Sequence, residues 1–375
     1  MSALGVAVIG HGFMGRAHSA AWRNAGAAFG LPHYRQQVLV GRSADAVAAA
    51  AAAWGWQESA TDWRAVLARD DIQIVDICTP GWAHAEIAIA ALRAGKHVIV
   101  EKPLANSVDE AEQMVEVAAA AARRGVFSMV GFNYRRVPAI ALARELIAAG
   151  RLGTVRQVRA SYLQDWLADD NAPMSWRLRA ETAGSGALGD IASHAVDLVQ
   201  FVLTEQVMEA SGALRTFVPQ RPGGAGGAEE VTVDDAVWAN LRLSGGASAS
   251  IEASRIATGR KNSLHLEIYG SRGALRFDLE RLNELEFFDA MDPVAEQGFR
   301  RILVTEPEHP YLKAWWPQGH ILGWEHSFSH QVRDFLDCID QGRAPSPSFA
   351  EGLQVQRVLG AIAESSDRNG IRIAV

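Results

Sequence analysis

The first 130 residues alternate between short apolar runs and longer segments with helical periodicity. The apolar runs are typical of strands that are covered on both faces of a sheet. Strands separated by helices of ten or more residues predict right-handed βαβ units and a parallel sheet. The predicted strands are Leu4–Ile9 and residues 37–40, 74–78, 98–100 and 127–130, and the predicted helices are residues 16–28, 44–54, 83–94 and 108–123.

The pattern changes after residue 131. Long alternating segments with strand character follow, and few helices separate them, which predicts an α+β second domain with an antiparallel or mixed sheet. Residues 219–230 are too rich in Gly and Pro for either element and predict a mobile loop. The predicted strands are residues 154–163, 231–243, 247–257, 263–269 and 273–279, and the predicted helices are residues 138–149, 187–203, 325–340 and 350–365.

A glycine motif, GHGFMG at residues 10–15, lies directly after the first predicted strand and before the first predicted helix. In this position Gly10 permits a tight turn, Gly12 lets the backbone approach a pyrophosphate, and Gly15 lets helix and strand pack closely. The helix N-terminus offers its N–H groups to the phosphates. The motif predicts a Rossmann dinucleotide-binding domain over residues 1–131, with Phe13 and Met14 also at the cofactor. The alternative is a glycine-rich turn without a ligand.

The end of the second predicted strand bears on the choice of dinucleotide. Sites that prefer NAD usually carry an acidic residue there for the ribose hydroxyls, but this chain has Arg42 and Ser43. Arg42 is able to stack on adenine and meet a 2′-phosphate, and Ser43 is able to donate a hydrogen bond to it. The pair favours NADP, and a solvated Arg42 remains compatible with NAD.

Two further strands end in unusual residues. Val98, Ile99 and Val100 of the fourth predicted strand are followed by Glu101-Lys102-Pro103. Because the carboxyl ends of parallel strands face the ligand, Lys102 is expected at the cofactor edge, and Pro103 favours an extended Lys102. The third predicted strand ends in the same fashion. The cofactor residues predicted at these two ends are Thr79, Pro80, His84, Glu101 and Lys102.

A second polar group occurs in the glycine-rich stretch 184–197. Asp190 and His194 are four residues apart, so on a helix they share one face. A carboxylate that biases the tautomer and basicity of an imidazole suits a proton relay. The alternative is an exposed aspartate beside a structural histidine.

Composition excludes several classes of partner and site. The formal charge is −7, which indicates neither a nucleic-acid surface nor an anionic membrane surface. No apolar run approaches the ~18 residues that span a bilayer. The N-terminal stretch MSALGVAVIG lacks the basic region of a signal peptide. A cytoplasmic protein is therefore predicted, with Cys78 and Cys338 as reduced thiols rather than a disulfide.

In combination, the glycine motif, Glu101-Lys102-Pro103 and the Asp190…His194 segment resemble the glucose–fructose oxidoreductase / inositol dehydrogenase / rhizopine-catabolism (Gfo/Idh/MocA) family. The resemblance covers essentially the whole chain. Residues 162–166 (YLQDW) and 176–178 (WRL) also resemble a branch of the family that includes levoglucosan dehydrogenase-like proteins.

The resemblance implies roles for the polar residues. Lys102 would touch both nicotinamide and the substrate hydroxyl, His194 would be the acid/base, and Asp190 would bind and orient the substrate. The peptide bond before Pro103 is often cis in the family. The resemblance also implies that residues 132–375 form an α+β substrate-binding and oligomerisation domain with a large open, mostly antiparallel sheet, in a homodimer or homotetramer; its final helices are able to pack on the first domain.

The resulting prediction is an NADP- or NAD-dependent dehydrogenase for a secondary alcohol of a sugar, anhydrosugar or inositol-like cyclitol. The predicted substrate contacts are Tyr134, Asp165, Trp166, Trp176, Arg177, Asp190 and His194. Residues 309–326 hold three tryptophans and three histidines, which suit either a sugar ring or a structural plug. No metal site is predicted, since these histidines lack a carboxylate or thiol partner. Two other functions remain open: a catalytically silent dinucleotide sensor, and an NAD-dependent glycosidase that works by redox and elimination.

Overall fold

The computed structural model describes residues 3–31, 33–224 and 226–375. Positions 1 and 2 of the N-terminal stretch considered above, and position 225 of the predicted loop, lie outside these ranges. The strands are β1 (Leu4–Ile9), β2 (Tyr34–Val40), β3 (Glu58–Ala60), β4 (Ile74–Ile77), β5 (His97–Val100), β6 (Ser128–Val130), β7 (Val155–Leu163), β8 (Val207–Arg215), β9 (Gln220–Pro222), β10 (Ala228–Glu230), β11 (Ala236–Leu243), β12 (Ser248–Ser254), β13 (Ser263–Gly270), β14 (Gly273–Asp278), β15 (Glu284–Asp289), β16 (Arg300–Leu303) and β17 (Ile373–Ala374).

The α-helices of the described residues include one at each of the eight predicted positions and two that the sequence analysis missed, at residues 63–67 and 180–183. They are α1 (Phe13–Phe29), α2 (Ala44–Trp54), α3 (Trp63–Leu67), α4 (His84–Arg93), α5 (Val108–Ala122), α6 (Pro138–Ala148), α7 (Ala180–Ala183), α8 (Ser193–Leu203), α9 (His326–Asp340) and α10 (Phe349–Asp367). Local chemistry explains some of their ends. Ser107 and Glu110 form a reciprocal capping box at the start of α5.

The chain divides into two compact units: Met1–Arg136 with Trp324–Leu353, and Val137–Gly323 with Gln354–Val375. This division differs from the predicted boundary after residue 131. The first unit also takes residues 132–136 and the later segment that contains α9.

The first unit is built on a parallel sheet. Among the residues described, six strands pair in the order β3-β2-β1-β4-β5-β6, and each pair is parallel. Helix α9 packs on α1. Trp22 of α1, Val8 of β1 and Phe335 of α9 are buried in one hydrophobic cluster. The predicted Rossmann fold is confirmed.

The second unit is built on a larger mixed sheet. In the described part of the chain, nine strands pair in the order β16-β15-β14-β13-β7-β12-β11-β8-β17. Only β7 and β12 pair in parallel among these strands, and the other pairs are antiparallel. The prediction of a large, mostly antiparallel sheet in an α+β domain is confirmed.

Two sequence predictions require correction. The predicted loop at residues 219–230 contains β9 and β10, which pair with each other, because short antiparallel strands tolerate the flanking Gly and Pro. The predicted helix at 187–203 begins with a π-helical turn, Leu188–Ala192, and continues as α8. The sequence analysis also missed β3, β8, β15, β16 and β17.

Both cysteines are free thiols, as predicted. Among the residues that the structure describes, we find no helix with both the length and the apolar character needed to cross a membrane.

Candidate active site

The glycine motif forms a tight turn from β1 into α1. Gly10 has φ +113°, and a Cβ there would lie 2.6 Å from the carbonyl oxygen of Cys78. A Cβ on Gly15 would lie 2.0 Å from the carbonyl oxygen of Gly10, whereas a Cβ on Gly12 would meet nothing within 4 Å. Gly12 is exposed at the N-cap of α1, where no side chain caps the helix. The turn therefore leaves open space and main-chain N–H groups that fit a dinucleotide pyrophosphate.

The side chains within and beside this turn are arranged around aromatic groups. Phe13 is exposed, and its ring stacks on Trp324 with the ring centroids 5.6 Å apart. Met14 packs partly buried against the hydrophobic cluster of the unit. His11, for which the sequence offered no role, lies against Gly41, where a Cβ would come within 2.1 Å of His11 Nδ1. The bare glycine at the end of β2 thus makes room for the imidazole ring.

Arg42 and Ser43 follow Gly41, and both are exposed at the beginning of α2. Neither residue is buried, so their side chains are available to a ligand at the carboxyl end of β2. The first acidic residue after β2 is Asp45, in the first turn of α2, five residues beyond the strand end at which sites that prefer NAD carry an acid.

His84 joins the loops that follow β4 and β5. Its Nε2 lies 2.9 Å from the carbonyl oxygen of Thr79, and its Nδ1 lies 3.0 Å from that of Pro103. Burial lowers the pKa of His84, and the contacts with these two carbonyl oxygens act in the opposite direction. Thr79 and Pro80 are half-buried on the first of these loops. The imidazole is thus used to hold the two loops together.

Lys102 stands where β5 ends. The strand residues before it are fully buried, and Lys102 itself is half-buried. The peptide bond between Lys102 and Pro103 is cis. The main-chain N–H of Lys102 donates to Oε2 of Glu101 at 3.3 Å. Strand geometry therefore brings Lys102 to the same sheet edge as the glycine turn.

Behind Lys102, a histidine lies between two carboxylates. Nδ1 of His18 is 2.9 and 2.8 Å from the two carboxylate oxygens of Asp76, and Nε2 is 2.9 Å from Oε1 of Glu101. The three residues are at most 5% exposed. Trp22 donates from Nε1 to Oδ2 of Asp76 at 2.7 Å. We call His18, Asp76 and Glu101 the buried triad.

Burial and the charge of Asp76 act in opposite directions on the pKa of His18. Burial lowers the pKa of His18, but the charge of Asp76 and the hydrogen bonds around the ring outweigh it, and the pKa of His18 lies well above its usual value. Burial raises the pKa of the neighbouring Cys78 to about 12, so this thiol is neutral at pH 7. Among the described residues, His18, Asp76 and Cys78 are close enough to share a metal ion. Both ring nitrogens of His18 already face carboxylate oxygens, which does not fit a metal ligand.

Tyr134 and Arg135 lie in a short 3₁₀ turn after β6. Tyr134 is buried within the first unit, and its hydroxyl accepts a hydrogen bond from Nε1 of Trp324 at 3.2 Å. Nη1 of Arg135 donates to Glu351 at 2.6 Å. Tyr134, which was predicted to contact substrate, therefore packs beside the tryptophan that stacks on Phe13.

In the second unit, Asp190 lies in the π-helical turn and His194 in the first turn of α8. His194 is 5% exposed, and its ring packs edge-on against Tyr162 of β7 with the centroids 5.9 Å apart. Asp190 is half-buried. π-Helical turns occur frequently at functional sites, because the extra residue per turn re-aims side chains.

Two residues that the sequence analysis missed hold this turn. The carboxylate of Asp234 accepts hydrogen bonds from the main-chain N–H groups of Gly186 at 2.7 Å and Leu188 at 2.8 Å. Burial raises the pKa of Asp234, and these N–H groups act in the opposite direction. Nη1 of Arg255 lies 3.9 Å from Oδ2 of Asp190, and its Nη2 donates to the carbonyl oxygen of Asp234 at 3.0 Å. We call Asp234 and Arg255 the turn brace.

Two of the other predicted substrate residues of this unit, Trp166 and Arg177, contact Arg255. Trp166 is 44% exposed, and the guanidinium carbon of Arg255 lies 5.6 Å from its ring centroid. Trp176 is also exposed, with the guanidinium of Arg177 over its ring at 4.4 Å. Asp165 instead accepts from Nζ of Lys261 at 2.6 Å, and this hydrogen bond, together with the N–H of Gly259, lowers its pKa. Exposed indoles beside polar groups are surfaces on which sugar rings bind.

The sequence carries few signals for the residues of the buried triad and the turn brace that its analysis missed. Asp76 is an acid inside the otherwise apolar strand IVDI, and an acid buried on both faces of a sheet requires a partner. His18 follows the glycine motif by three residues on the buried face of α1. Asp234 and Arg255 flank strands and carry no motif, so only the folded chain connects them to Asp190.

Comparison with known proteins gives matches over both units. Residues 4–132 match an oxidoreductase family with an NAD-binding Rossmann fold, and residues 140–276 match the GFO/IDH/MocA C-terminal domain. The levoglucosan dehydrogenase of Pseudarthrobacter phenanthrenivorans is 41% identical over 384 residues, which cover 98% of this chain and 97% of that protein.

Solved structures give the same result. An oxidoreductase domain protein from Kribbella flavida is 57% identical, with a TM-score of 0.98 and 100% of both chains covered. A levoglucosan dehydrogenase in complex with NADH and levoglucosan is 40% identical, with a TM-score of 0.95 and 100% of both chains covered.

Proposed function

Since the chain belongs to the Gfo/Idh/MocA family of NAD-binding oxidoreductases, we propose that it oxidises a secondary hydroxyl of an anhydrosugar, or of a related sugar or cyclitol. The family membership confirms the resemblance that the glycine motif, Glu101-Lys102-Pro103 and the Asp190…His194 segment indicated. The observation that carries the substrate proposal is the 41% identity to a levoglucosan dehydrogenase over nearly the whole of both proteins. The exposed Trp166 and Trp176 support a substrate with a ring.

In the proposed mechanism, His194 takes the proton of the reacting hydroxyl, and Asp190 orients the substrate. Lys102 stabilises the negative charge that develops on the substrate oxygen, an electrostatic contribution worth roughly 3–4 kcal/mol in comparable oxyanion sites. A bound nicotinamide cofactor supplies the hydride acceptor. The glycine turn holds its pyrophosphate through main-chain N–H groups. The cofactor contacts proposed are Gly10, Gly12, Phe13, Met14, Gly15, Arg42, Ser43, Thr79, Pro80, Glu101 and Lys102, with His84 fixing the loops around them.

For the cofactor, we propose that the chain uses NAD and that Arg42 and Ser43 allow it to bind NADP as well. A relative that is 40% identical carries NADH, which supports NAD. The exposed Arg42 and Ser43, with no acidic residue before Asp45, support a site that tolerates a 2′-phosphate.

The substitution Arg42→Ala tests this cofactor proposal. Loss of one charged hydrogen-bonding group should weaken NADP binding by about 10- to 100-fold. NAD binding should stay within about twofold, because its ribose needs no cation. Titration calorimetry with both cofactors measures the difference, and Arg35→Ala, at an exposed position of β2, is the matched control. Unchanged NADP affinity in Arg42→Ala would contradict the role of this residue.

The activity itself is tested by a substrate panel. Purified protein is incubated with NAD or NADP and with levoglucosan, other anhydrosugars, aldoses and inositols, and absorbance at the reduced nicotinamide band is recorded. We expect the highest kcat/KM for an anhydrosugar. Activity on inositols alone would indicate a cyclitol substrate instead of an anhydrosugar. Release of nitrophenol from a nitrophenyl glycoside without net cofactor reduction would instead indicate the glycosidase chemistry.

We further propose a cytoplasmic protein that works as a homodimer or homotetramer. The two free thiols support a reducing compartment. Trp238 of the open sheet is 41% exposed and contacts the exposed Phe217, which supports contact with a second copy of the chain. Sedimentation velocity measures the oligomeric state, and a monomer at micromolar concentration would contradict this proposal.

A further inference from the structure

The buried triad contains a histidine whose two ring nitrogens both face carboxylates. An ionised carboxylate only accepts hydrogen bonds, so a ring nitrogen between 2.8 and 2.9 Å from it must carry a proton. Nδ1 of His18 faces both oxygens of Asp76, and Nε2 faces Oε1 of Glu101. An imidazolium carries a proton on each ring nitrogen and therefore donates hydrogen bonds to both carboxylates.

Charge balance supports the same assignment. Asp76 is fully buried and Glu101 is 5% exposed, and two such carboxylates are costly without a cation between them. The other groups that face the ring are neutral: the Cys78 thiol beside β4 and the ring of Phe328 from α9, 5.2 Å away. With His18 charged, the triad carries one net negative charge rather than two.

The triad also reaches the active-site lysine through the main chain. One oxygen of Glu101 faces Nε2 of His18, and the other accepts the main-chain N–H of Lys102. A Cβ on Gly131 would come within 2.8 Å of Oε1 of Glu101, so this carboxylate packs closely against the main chain of Gly131. His18 belongs to α1, the helix that the glycine motif begins.

We propose that His18 is a positioning residue: as an imidazolium between Asp76 and Glu101, it fixes the Glu101 carboxylate and thereby the turn that presents Lys102. The triad joins three neighbouring elements, α1, β4 and the end of β5, so that Lys102 is held at a fixed distance from the glycine turn. The role rests on the proposed function for its kinetic consequence, but not for the protonation of His18.

The protonation is tested on the wild-type protein by ¹⁵N NMR of labelled histidine. We expect both ring nitrogens of His18 to carry protons at pH 7.5. His97 is the internal control, because burial lowers its pKa to about 4 and its Nδ1 accepts the main-chain N–H of Phe127, so it should show one protonated nitrogen at this pH. A neutral His18 tautomer at pH 7.5 would mean that a carboxylic acid donates to the ring, and would overturn the proposal.

The positioning role is tested with His18→Gln and with the double variant His18→Gln/Asp76→Asn. Loss of the cation leaves two buried carboxylates in the single variant, and the double variant restores one net negative charge. We expect kcat to fall about 10- to 100-fold in His18→Gln through misplacement of Lys102, with KM for the polyol within about threefold. A new ionisation should also enter the pH profile of kcat. The kcat of the double variant should be at least about fivefold higher than that of His18→Gln.

Two results would overturn the positioning role. One is a kcat and a pH profile in His18→Gln that match the wild type. The other is a double variant as slow as the single one, which is what a merely space-filling histidine predicts. His97→Gln is the control, because His97 lies at the start of β5 and its Nδ1 accepts the N–H of Phe127, at the opposite end of the strand from Glu101.

Failure of the proposal on His18 can be distinguished from failure of the proposed function. If the wild-type protein reduced neither nicotinamide cofactor with any polyol, the proposed function would fail. The NMR spectrum and the dissociation constant of NADH for the two variants would then decide the proposal on His18. We expect NADH to bind more weakly to His18→Gln and to regain affinity in the double variant; equal affinity for all three proteins would overturn it.

Discussion

Lys102 and His194 are held by the fold in two different ways. Lys102 follows a buried parallel strand, and the triad behind it comes from α1, β4 and β5, which are neighbours in a regular βαβ arrangement. His194 follows a π-helical turn that is held by Asp234 and Arg255, from segments that flank β11 and β12. A strand end has a position that the sheet dictates, whereas an irregular turn keeps its shape only through contacts from distant residues.

The largest effects are expected when either candidate side chain, Lys102 or His194, is removed. The two variants should differ in their binding of NADH. Lys102→Ala should lower kcat by about 10²–10³-fold through loss of charge stabilisation. His194→Ala should lower kcat by about 10²–10⁴-fold through loss of the proton acceptor. Only Lys102→Ala should also weaken NADH binding, which fluorescence titration measures. If either variant kept turnover within a few-fold of the wild type, the role assigned to that residue would be wrong.

The turn brace is compared with a carboxylate that has no part in the proposed site. Asp234→Asn replaces a carboxylate that accepts two main-chain N–H groups, which should cost about 1–3 kcal/mol and lower kcat about tenfold or more as the π-helical turn shifts. Asp235 is also buried and accepts hydrogen bonds from the N–H groups of Phe217 and Val218. Asp235→Asn should lower the thermal midpoint similarly but leave kcat unchanged. If both variants lowered kcat equally, Asp234 would have no special role in holding the π-helical turn.

The smallest expected effect is a difference between the two units in how their stability depends on pH. The pKa of His18 is raised in the folded chain, so its stabilisation is complete below the unfolded value of about 6.5 and is lost as pH rises towards the folded value. Within that window the loss is about 1.4 kcal/mol per pH unit. Arg255 stays charged throughout, although burial lowers its pKa.

Hydrogen exchange resolves this difference by region. The opening free energy of β4 amides should decrease from about pH 6.5 upwards in the wild type and not in His18→Gln, while β11 amides should show no such trend. A β4 trend that is the same in both proteins would assign the pH dependence to a group other than His18.

The sequence contained most of the information on the first unit. The glycine motif between Ile9 and Arg16 located the dinucleotide turn, because only glycine fits where a Cβ would approach a carbonyl oxygen to 2.6 Å. Lys102 became a candidate for the site because a lysine and a proline directly after a buried strand are unusual. The short β3 was missed, since ESA at residues 58–60 carries no apolar pattern.

The second unit was less accessible to sequence analysis. The i, i+4 spacing made Asp190 and His194 candidates for the site, but helical periodicity does not distinguish a π-helical turn from an α-helix. Arg255 lies 65 residues beyond Asp190, and nothing local marks it as its partner. Glu284–Asp289 was missed as a strand although it alternates, because its Phe and Glu residues also suit a helix.

The discontinuous first unit has a consequence for synthesis of the protein. Its core includes Phe328 and Phe335, which the ribosome adds roughly 190 residues after the preceding part of the same unit ends at Arg136. At about 5–20 residues per second, the nascent nucleotide-binding unit waits on the order of 10–40 s for the helix that closes its core. We therefore expect the emerging chain to expose the apolar face of α1 during this interval and to be a client of chaperones that bind such surfaces.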